Sequence, residues 1–185
     1  MQKDKLRWNE KYKNFPMPTR VAPIVEKYLP KEKNLKALDI ACGKGRNSIY
    51  MAENGYVVDA IDISDVALSC VSEHKNITTQ EVDLDTYEIK KDTYDVIVKC
   101  YYLDRRLTPY IIEALKSGGL LIYETYLEVS SDKKYHQPSN PDFLLKSNEL
   151  LKSFSELKVI YYEEREETNL RGELVKIASL VAIKE

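Results

Sequence analysis

The chain has 185 residues and a formal net charge of −2, with 28 Lys and Arg against 30 Asp and Glu; the length suits one domain with a full hydrophobic core, and balanced charge argues against a protein that works by binding nucleic-acid phosphates. At 43% hydrophobic residues the composition excludes a disordered chain. Cys42, Cys70 and Cys100 match neither a disulfide framework nor a CxxC metal site, so reduced thiols in a cytoplasm and no bound metal are expected. The charged opening MQKDKLRWNEKYK has no apolar h-region and no run reaches about 18 apolar residues, so neither an export signal nor a membrane span is expected. Tyrosine is in excess, with 14 Tyr beside 3 Phe and 1 Trp.

Two helices are predicted first, Lys3 to Asn14 and Pro18 to Tyr28, the first placing Trp8, Tyr12 and Phe15 on one face. A strand over Leu35 to Ile40 runs into Cys42-Gly43-Lys44-Gly45. A helix from Asn47 to Asn54 follows, closed by Gly55. Tyr56 to Ile63 reads as the second strand, and Ser64-Asp65 as the N-cap of a helix through Val66, Ala67, Leu68 and Val71. Ile77 to Val82 is the third strand. Tyr94 to Cys100 is the fourth, its Val96-Ile97-Val98 suited to burial on both faces.

A helix over 108–116 is expected next, with Thr108 as cap, Pro109 at the first helical position and Ser117-Gly118-Gly119 as its stop. Leu120 to Tyr126 is a fifth strand. Leu127 to Pro141 is a polar stretch of 15 residues, a length typical of a functional or mobile loop. Ser147 is expected to cap a short helix through Leu150, Leu151 and Phe154. Strands at about 157–165 and 173–183 flank Asn169 to Gly172 as a hairpin, with Glu163 to Glu167 read as a solvated strand end and turn. The alternation predicts an α/β fold with a mostly parallel sheet and an antiparallel end.

The informative stretch is Leu38-Asp39-Ile40-Ala41-Cys42-Gly43-Lys44-Gly45-Arg46-Asn47. Glycines after a strand permit a sharp turn and close approach of a ligand, and the next helix offers free N–H groups. Neither GxGxxG nor GK[ST] is present, which disfavours a dinucleotide dehydrogenase and a P-loop enzyme. Asp62, 23 residues after Asp39, ends the second strand where an acid can accept both hydroxyls of a ribose; Asp83 follows the third strand. Three acids at strand carboxyl ends point into the crevice where open α/β sheets bind ligands.

Those motifs, with Tyr94-Asp95-Val96-Ile97-Val98 and Leu115-Lys116-Ser117-Gly118-Gly119, resemble the successive motifs of class I S-adenosylmethionine-dependent methyltransferases. Gly45-Arg46-Asn47 and Trp8-Asn9-Glu10-Lys11-Tyr12 are most similar to the small tellurite-resistance-like and thiopurine-methyltransferase-like branch. Tyr102-Leu103-Asp104-Arg105-Arg106-Leu107, Tyr123-Glu124-Thr125-Tyr126 and Asn140-Pro141-Asp142-Phe143-Leu144-Leu145 resemble a group of bacterial methyltransferases in it. The chain departs from these patterns at Ala41, where many relatives have glycine, and at Asp104, where the resembled run has His. It also lacks a His-Arg pair in Glu163 to Glu167.

The resemblance implies a Rossmann-like methyltransferase fold with a seven-stranded, mostly parallel sheet, helices on both faces and a C-terminal antiparallel hairpin. It implies one methyltransferase domain over 1–185, with 1–30 as a helical lid and 127–143 as a substrate-side loop. S-adenosylmethionine would be the cofactor, leaving as S-adenosylhomocysteine. Ala41 and Gly43 would lie along its methionyl part, Asp39 would hold its amino group, Asp62 its ribose, and Asp83 with Leu84 its adenine. Lys99 and Cys100 would stand beside the methyl, with Tyr12, Cys42, Arg46 and Ile63 completing the cofactor set. Tyr101, Arg105, Arg106, Tyr126 and His136 are the candidate contacts of a small-molecule acceptor, such as a thiol or an oxyanion. No nucleic-acid or membrane partner is expected, and the chain would be a monomer or homodimer. The alternative is a non-catalytic module or sensor that binds S-adenosylmethionine or S-adenosylhomocysteine.

Overall fold

The computed structural model describes residues 2–129, 134–169 and 172–185. Helices α1 (Gln2–Asn14) and α2 (Pro23–Tyr28) lead into β1 (Lys36–Ile40), α3 (Arg46–Glu53), β2 (Val57–Asp62), α4 (Asp65–Leu68) and β3 (Ile77–Glu81). Then come β4 (Tyr94–Cys100), α5 (Thr108–Ala114), β5 (Leu115–Tyr126), α6 (Glu149–Ser153), β6 (Lys158–Thr168) and β7 (Leu174–Ile183). They build a seven-stranded sheet in the order β3-β2-β1-β4-β5-β7-β6. The first five strands are parallel, and β7 enters antiparallel between β5 and β6. Strand order reverses between β1 and β4, which opens a crevice at their carboxyl ends.

Period-2 alternation sends neighbouring residues of each central strand to opposite cores. Leu38, Ile40, Ile97, Leu121 and Tyr123 pack on Ile111 and Ala114 of α5 and Leu150 of α6. Ala37, Val58, Ala60, Val96, Val98 and Ile122 pack on Ile24 and Val25 of α2 and Met51 and Ala52 of α3. Helices thus cover both faces, as the fold class requires. Among the described residues no helix is long and apolar enough to cross a membrane.

Several boundaries differ from the sequence expectation for local reasons. The second helix begins at Pro23 rather than Pro18, because Ala22, preceding a proline, is extended at ψ 131. Phe15 falls outside α1 and is exposed, leaving Trp8 and Tyr12 as the ring pair, centroids 5.7 Å apart. Ser64 caps α4 as expected, its Oγ accepting from the Ala67 N–H, but the helix ends at Leu68. Leu107, not Thr108, occupies the cap of α5, and Leu115 to Gly119 already belong to β5 through a bulge opposite Tyr94 and Val96. Gly118 and Gly119 shape that bulge rather than a helix stop: Gly118 has φ +78, and a Cβ on Gly119 would meet the Tyr94 carbonyl at 3.0 Å. Asn148, at φ 59, replaces Ser147 as the cap of α6, while the Ser147 hydroxyl donates to Glu164 at 2.9 Å. Leu127 pairs with Leu145, and Pro141–Phe143 form a 3-10 turn; positions 130–133 of the expected loop and 170–171 of the hairpin turn lie outside the described residues. Glu163 to Glu167 sit inside β6 rather than at its end.

A lysine is buried in the core. Lys99 on β4 is 1% exposed, donates to the Asp104 carbonyl at 3.1 Å and lies over the rings of Tyr123 and Tyr102 at 4.7 and 5.5 Å. Burial lowers its ammonium to about 7 from 10.5. Below about 7 both folded and unfolded chains carry that proton; between there and 10.5 only the unfolded chain does, so this group makes stability rise with pH across the window. Denaturant titrations from pH 6 to 10 are expected to show that rise. In Lys99→Met it should vanish, with pH 6 stability gaining about 1–3 kcal/mol; an unchanged pH profile in the variant would refute the assignment.

Candidate active site

The crest of the sheet is built from the loops after β1, β2 and β4. Asp39, 1% exposed, turns toward α3 and accepts the Ser48 hydroxyl at 2.6 Å; burial lifts its carboxyl to about 7 against the opposing pull of Ser48 and Arg46. Ala41 and Gly43 take left-handed backbone angles of φ 55 and 57. The Cys42 N–H donates to the Ile61 carbonyl at 3.0 Å and the Gly43 N–H to Asp62 Oδ2 at 2.8 Å, so the first loop leans on the end of β2. The other Asp62 oxygen accepts the Ser64 N–H at 2.9 Å. Burial raises the Asp62 carboxyl, and hydrogen bonds from Ser64, Gly43 and Ile63 oppose that rise.

Helix α1 lies across this crest. Asn9 donates to Asp65 at 2.7 Å and accepts the Ser64 hydroxyl at 2.5 Å, and Lys5 pairs with Glu81 at 2.7 Å. Tyr12 then comes so close to Gly43 that a Cβ there would stand 2.7 Å from its hydroxyl. Burial, followed by Asp62, Cys42 and Asp39, keeps this phenol protonated. Tyr12 can approach the Gly43 backbone this closely only because that residue lacks a side chain.

A second group flanks the first. Tyr101, directly after β4, also has a left-handed backbone, φ 58. Its hydroxyl donates to Glu124 at 2.9 Å, its ring lies 5.3 Å from Tyr126, and the Arg46 guanidinium sits 5.4 Å over it. Glu124 is fully buried on β5 and also accepts Ser179 at 2.7 Å and Arg165 at 2.9 Å. The Cys100 thiol is pushed up by burial and then by Glu124.

The structure thus gathers Tyr12, Asp39, Ala41, Cys42, Gly43, Arg46, Asp62, Ile63, Cys100, Tyr101 and Tyr126 along the ends of β1, β2, β4 and β5. Asp83 and Leu84 follow β3, where Asp83 turns the chain by accepting the Asp85 N–H at 3.1 Å. Lys99 projects into the α5 and α6 face, opposite to Cys100. Arg105 is held by Glu149 at 2.6 Å and by the Asp142 and Leu144 carbonyls, and Arg106 by Asp104 and Asp85. His136 lies 3.3 Å from Glu173 beside β7. Sequence reading missed Glu124, Arg165 and Ser179; the signal was available in Glu124, a lone charge directly after the apolar run Leu120 to Tyr123.

Comparison with known proteins agrees with this architecture. A family model described as tellurite resistance protein TehB matches residues 1–178. The chain is 29% identical to a probable S-adenosyl-L-methionine-dependent methyltransferase TehB of Haemophilus influenzae, over 81% of this chain and 57% of that protein. It thus spans little more than half the length of the curated relatives it matches. The crystal structure of TehB from Haemophilus influenzae superposes with a TM-score of 0.72 at 24% identity, covering 98% of this chain and 67% of that one. A phosphoethanolamine N-methyltransferase of Haemonchus contortus, solved with phosphomonomethylethanolamine and S-adenosylhomocysteine, gives a TM-score of 0.65 at 17% identity, covering 87% and 51%. The fold is the Rossmann-like methyltransferase fold, and the chain belongs to the tellurite resistance protein TehB family.

Proposed function

We propose that this chain is an S-adenosylmethionine-dependent methyltransferase acting on a small-molecule acceptor in the cytoplasm. The observation that carries the reading is the convergence of Asp39, Gly43 and Asp62 at the ends of adjacent parallel strands, under Tyr12. Membership of the TehB family and likeness to methyltransferases support it.

The donor set fits the cofactor. Asp62 would take the ribose hydroxyls, since each carboxylate oxygen that accepts one backbone N–H retains a further lone pair. Asp39 would face the cationic amino group, Gly43 would let the methionyl chain lie against backbone, and Asp83 with Leu84 would border the adenine. When bound, the cofactor supplies an electrophilic sulfonium methyl. The protein's part is to place the acceptor in line with it and to exclude water, for which α1, tied to Ser64 and Asp65 through Asn9, is suitably placed as a lid.

Calorimetry with S-adenosylhomocysteine is expected to show a dissociation constant raised about tenfold or more in Asp62→Asn; unchanged affinity would remove Asp62 from the site. Because Asp39 ionises only near 7, affinity for the cationic cofactor is expected to rise as pH climbs from 5.5 to 8, and Asp39→Asn should flatten that rise. A flat profile in the unsubstituted chain would contradict the role given to Asp39. Production of S-adenosylhomocysteine with some thiol, phenol, amine or oxyanion supports the enzyme; binding with no turnover on any of them would favour a sensor.

A further inference from the structure

We propose that Tyr101 contacts the acceptor and, locked from behind by the buried Glu124, selects a neutral acceptor that donates a hydrogen bond, rather than an oxyanion. The inference rests on the reading above, and deepens it by naming the substrate class.

The first observation is backbone conformation. Ala41 and Tyr101 are both left-handed, and they directly follow β1 and β4, adjacent strands in which Ile40 pairs with Lys99. A bulky residue adopts such angles only where its surroundings enforce them. For Tyr101 the enforcement comes from one residue, since its N–H donates to the Glu124 carbonyl at 2.7 Å and its hydroxyl to the Glu124 carboxylate at 2.9 Å.

The second is the direction of that hydroxyl bond. Glu124 has its other oxygen occupied by Arg165 and Ser179, and Arg165 is further held by Glu167 at 3.0 Å. An ionised carboxylate can only accept, and a phenol has a single proton, so Tyr101 gives that proton to Glu124 and faces a ligand with lone pairs alone. A ligand meeting it must bring an O–H, N–H or S–H group. The rings of Tyr101 and Tyr126, 5.3 Å apart, suit a flat apolar body beside that group.

The third is charge. Arg105 is bound by Glu149, Arg106 by Asp104 and Asp85, and Arg165 by Glu124, Glu163 and Glu167. Arg46 remains at the crest, but it covers the Tyr101 ring and stands near Asp39. An oxyanion placed against the Tyr101 hydroxyl would meet lone pairs backed by the Glu124 carboxylate, while the Arg46 guanidinium lies over the ring face at 5.4 Å and donates to the Arg20 carbonyl at 3.3 Å.

The test uses the full chain saturated with S-adenosylhomocysteine, titrated calorimetrically with phenol, with anisole, which has the same ring and no donor, and with tellurite. Phenol is expected to bind about tenfold more tightly than anisole, and tellurite more weakly than phenol. Tyr101→Phe should abolish the preference while leaving anisole and S-adenosylhomocysteine affinities within about twofold. In Glu124→Gln the amide oxygen is retained by Arg165 and Ser179, so its NH2 turns to Tyr101 and makes the phenol a donor toward the ligand. The preference for phenol should then fall below about twofold, a change that a merely structural role for Glu124 would not produce. Equal binding of phenol and anisole by the unsubstituted chain, binding of neither, or tighter binding of tellurite would each overturn the proposal. If the expected binding pattern appears but no phenol, thiol or amine is methylated, the methyltransferase reading fails while the role of Tyr101 stands.

Discussion

The carboxylate of Asp62 holds the crest of this sheet together, one oxygen accepting the Gly43 N–H and the other the Ser64 N–H. Strands β1 and β2 run parallel with Ile40 opposite Ile61, so the loops that leave them emerge at the same height and one buried anion can span both. The rest of the site follows from that bridge. Gly43 is drawn into a left-handed conformation directly beneath Tyr12, and Ser64 is set to cap α4 with its hydroxyl reaching Asn9. Helix α1 is therefore tied to the same residues that form the floor. A buried carboxylate is costly unless its lone pairs are satisfied, and here the backbone donors that satisfy it are those of the two loops it organises.

Charge is arranged to the same effect. Lysines and arginines nearly equal the acids in number, yet the arginines of the carboxyl-end region are matched to particular carboxylates: Arg105 to Glu149, Arg106 to Asp104 and Asp85, and Arg165 to Glu124. The segment 142–149 is stitched by Arg105 to the turn after β4. The excess of tyrosine belongs to the same design. Tyr56, Tyr94 and Tyr123 are fully buried rings whose hydroxyls reach the Pro30 carbonyl, Asp59 and the Tyr102 carbonyl. A ring with a polar tip fills apolar volume and still ties down a loop at its edge, which Phe could not do.

Local chemistry made much of this legible in advance. Val96-Ile97-Val98 announced a strand buried on both faces, Ser64 announced a cap, and Asp39, Gly43 and Asp62 marked the carboxyl ends of β1 and β2. Readings that rested on short-range rules alone shifted when a neighbour intervened. Gly118 and Gly119 look like a helix stop, but β4 draws Leu115 into pairing with Tyr94, and the glycines serve a bulge instead. Glu163 to Glu167 look like a solvated turn, but insertion of β7 between β5 and β6 turns Arg165 inward onto Glu124.

The sequence by itself determined the strand and helix alternation, the two-faced core and the acids at the strand ends, because periodicity, turn residues and burial preference act over a few neighbouring residues. Only the tertiary structure decided that Lys99 faces away from Cys100 into the opposite core, that the paired arginines are neutralised, and that Tyr101 and Glu124 form one unit. Tyr101 and Glu124 lie 23 residues apart in the chain, Glu124 and Arg165 41, and Arg105 and Glu149 44. A contact across strands depends on register and strand order, which no local pattern records.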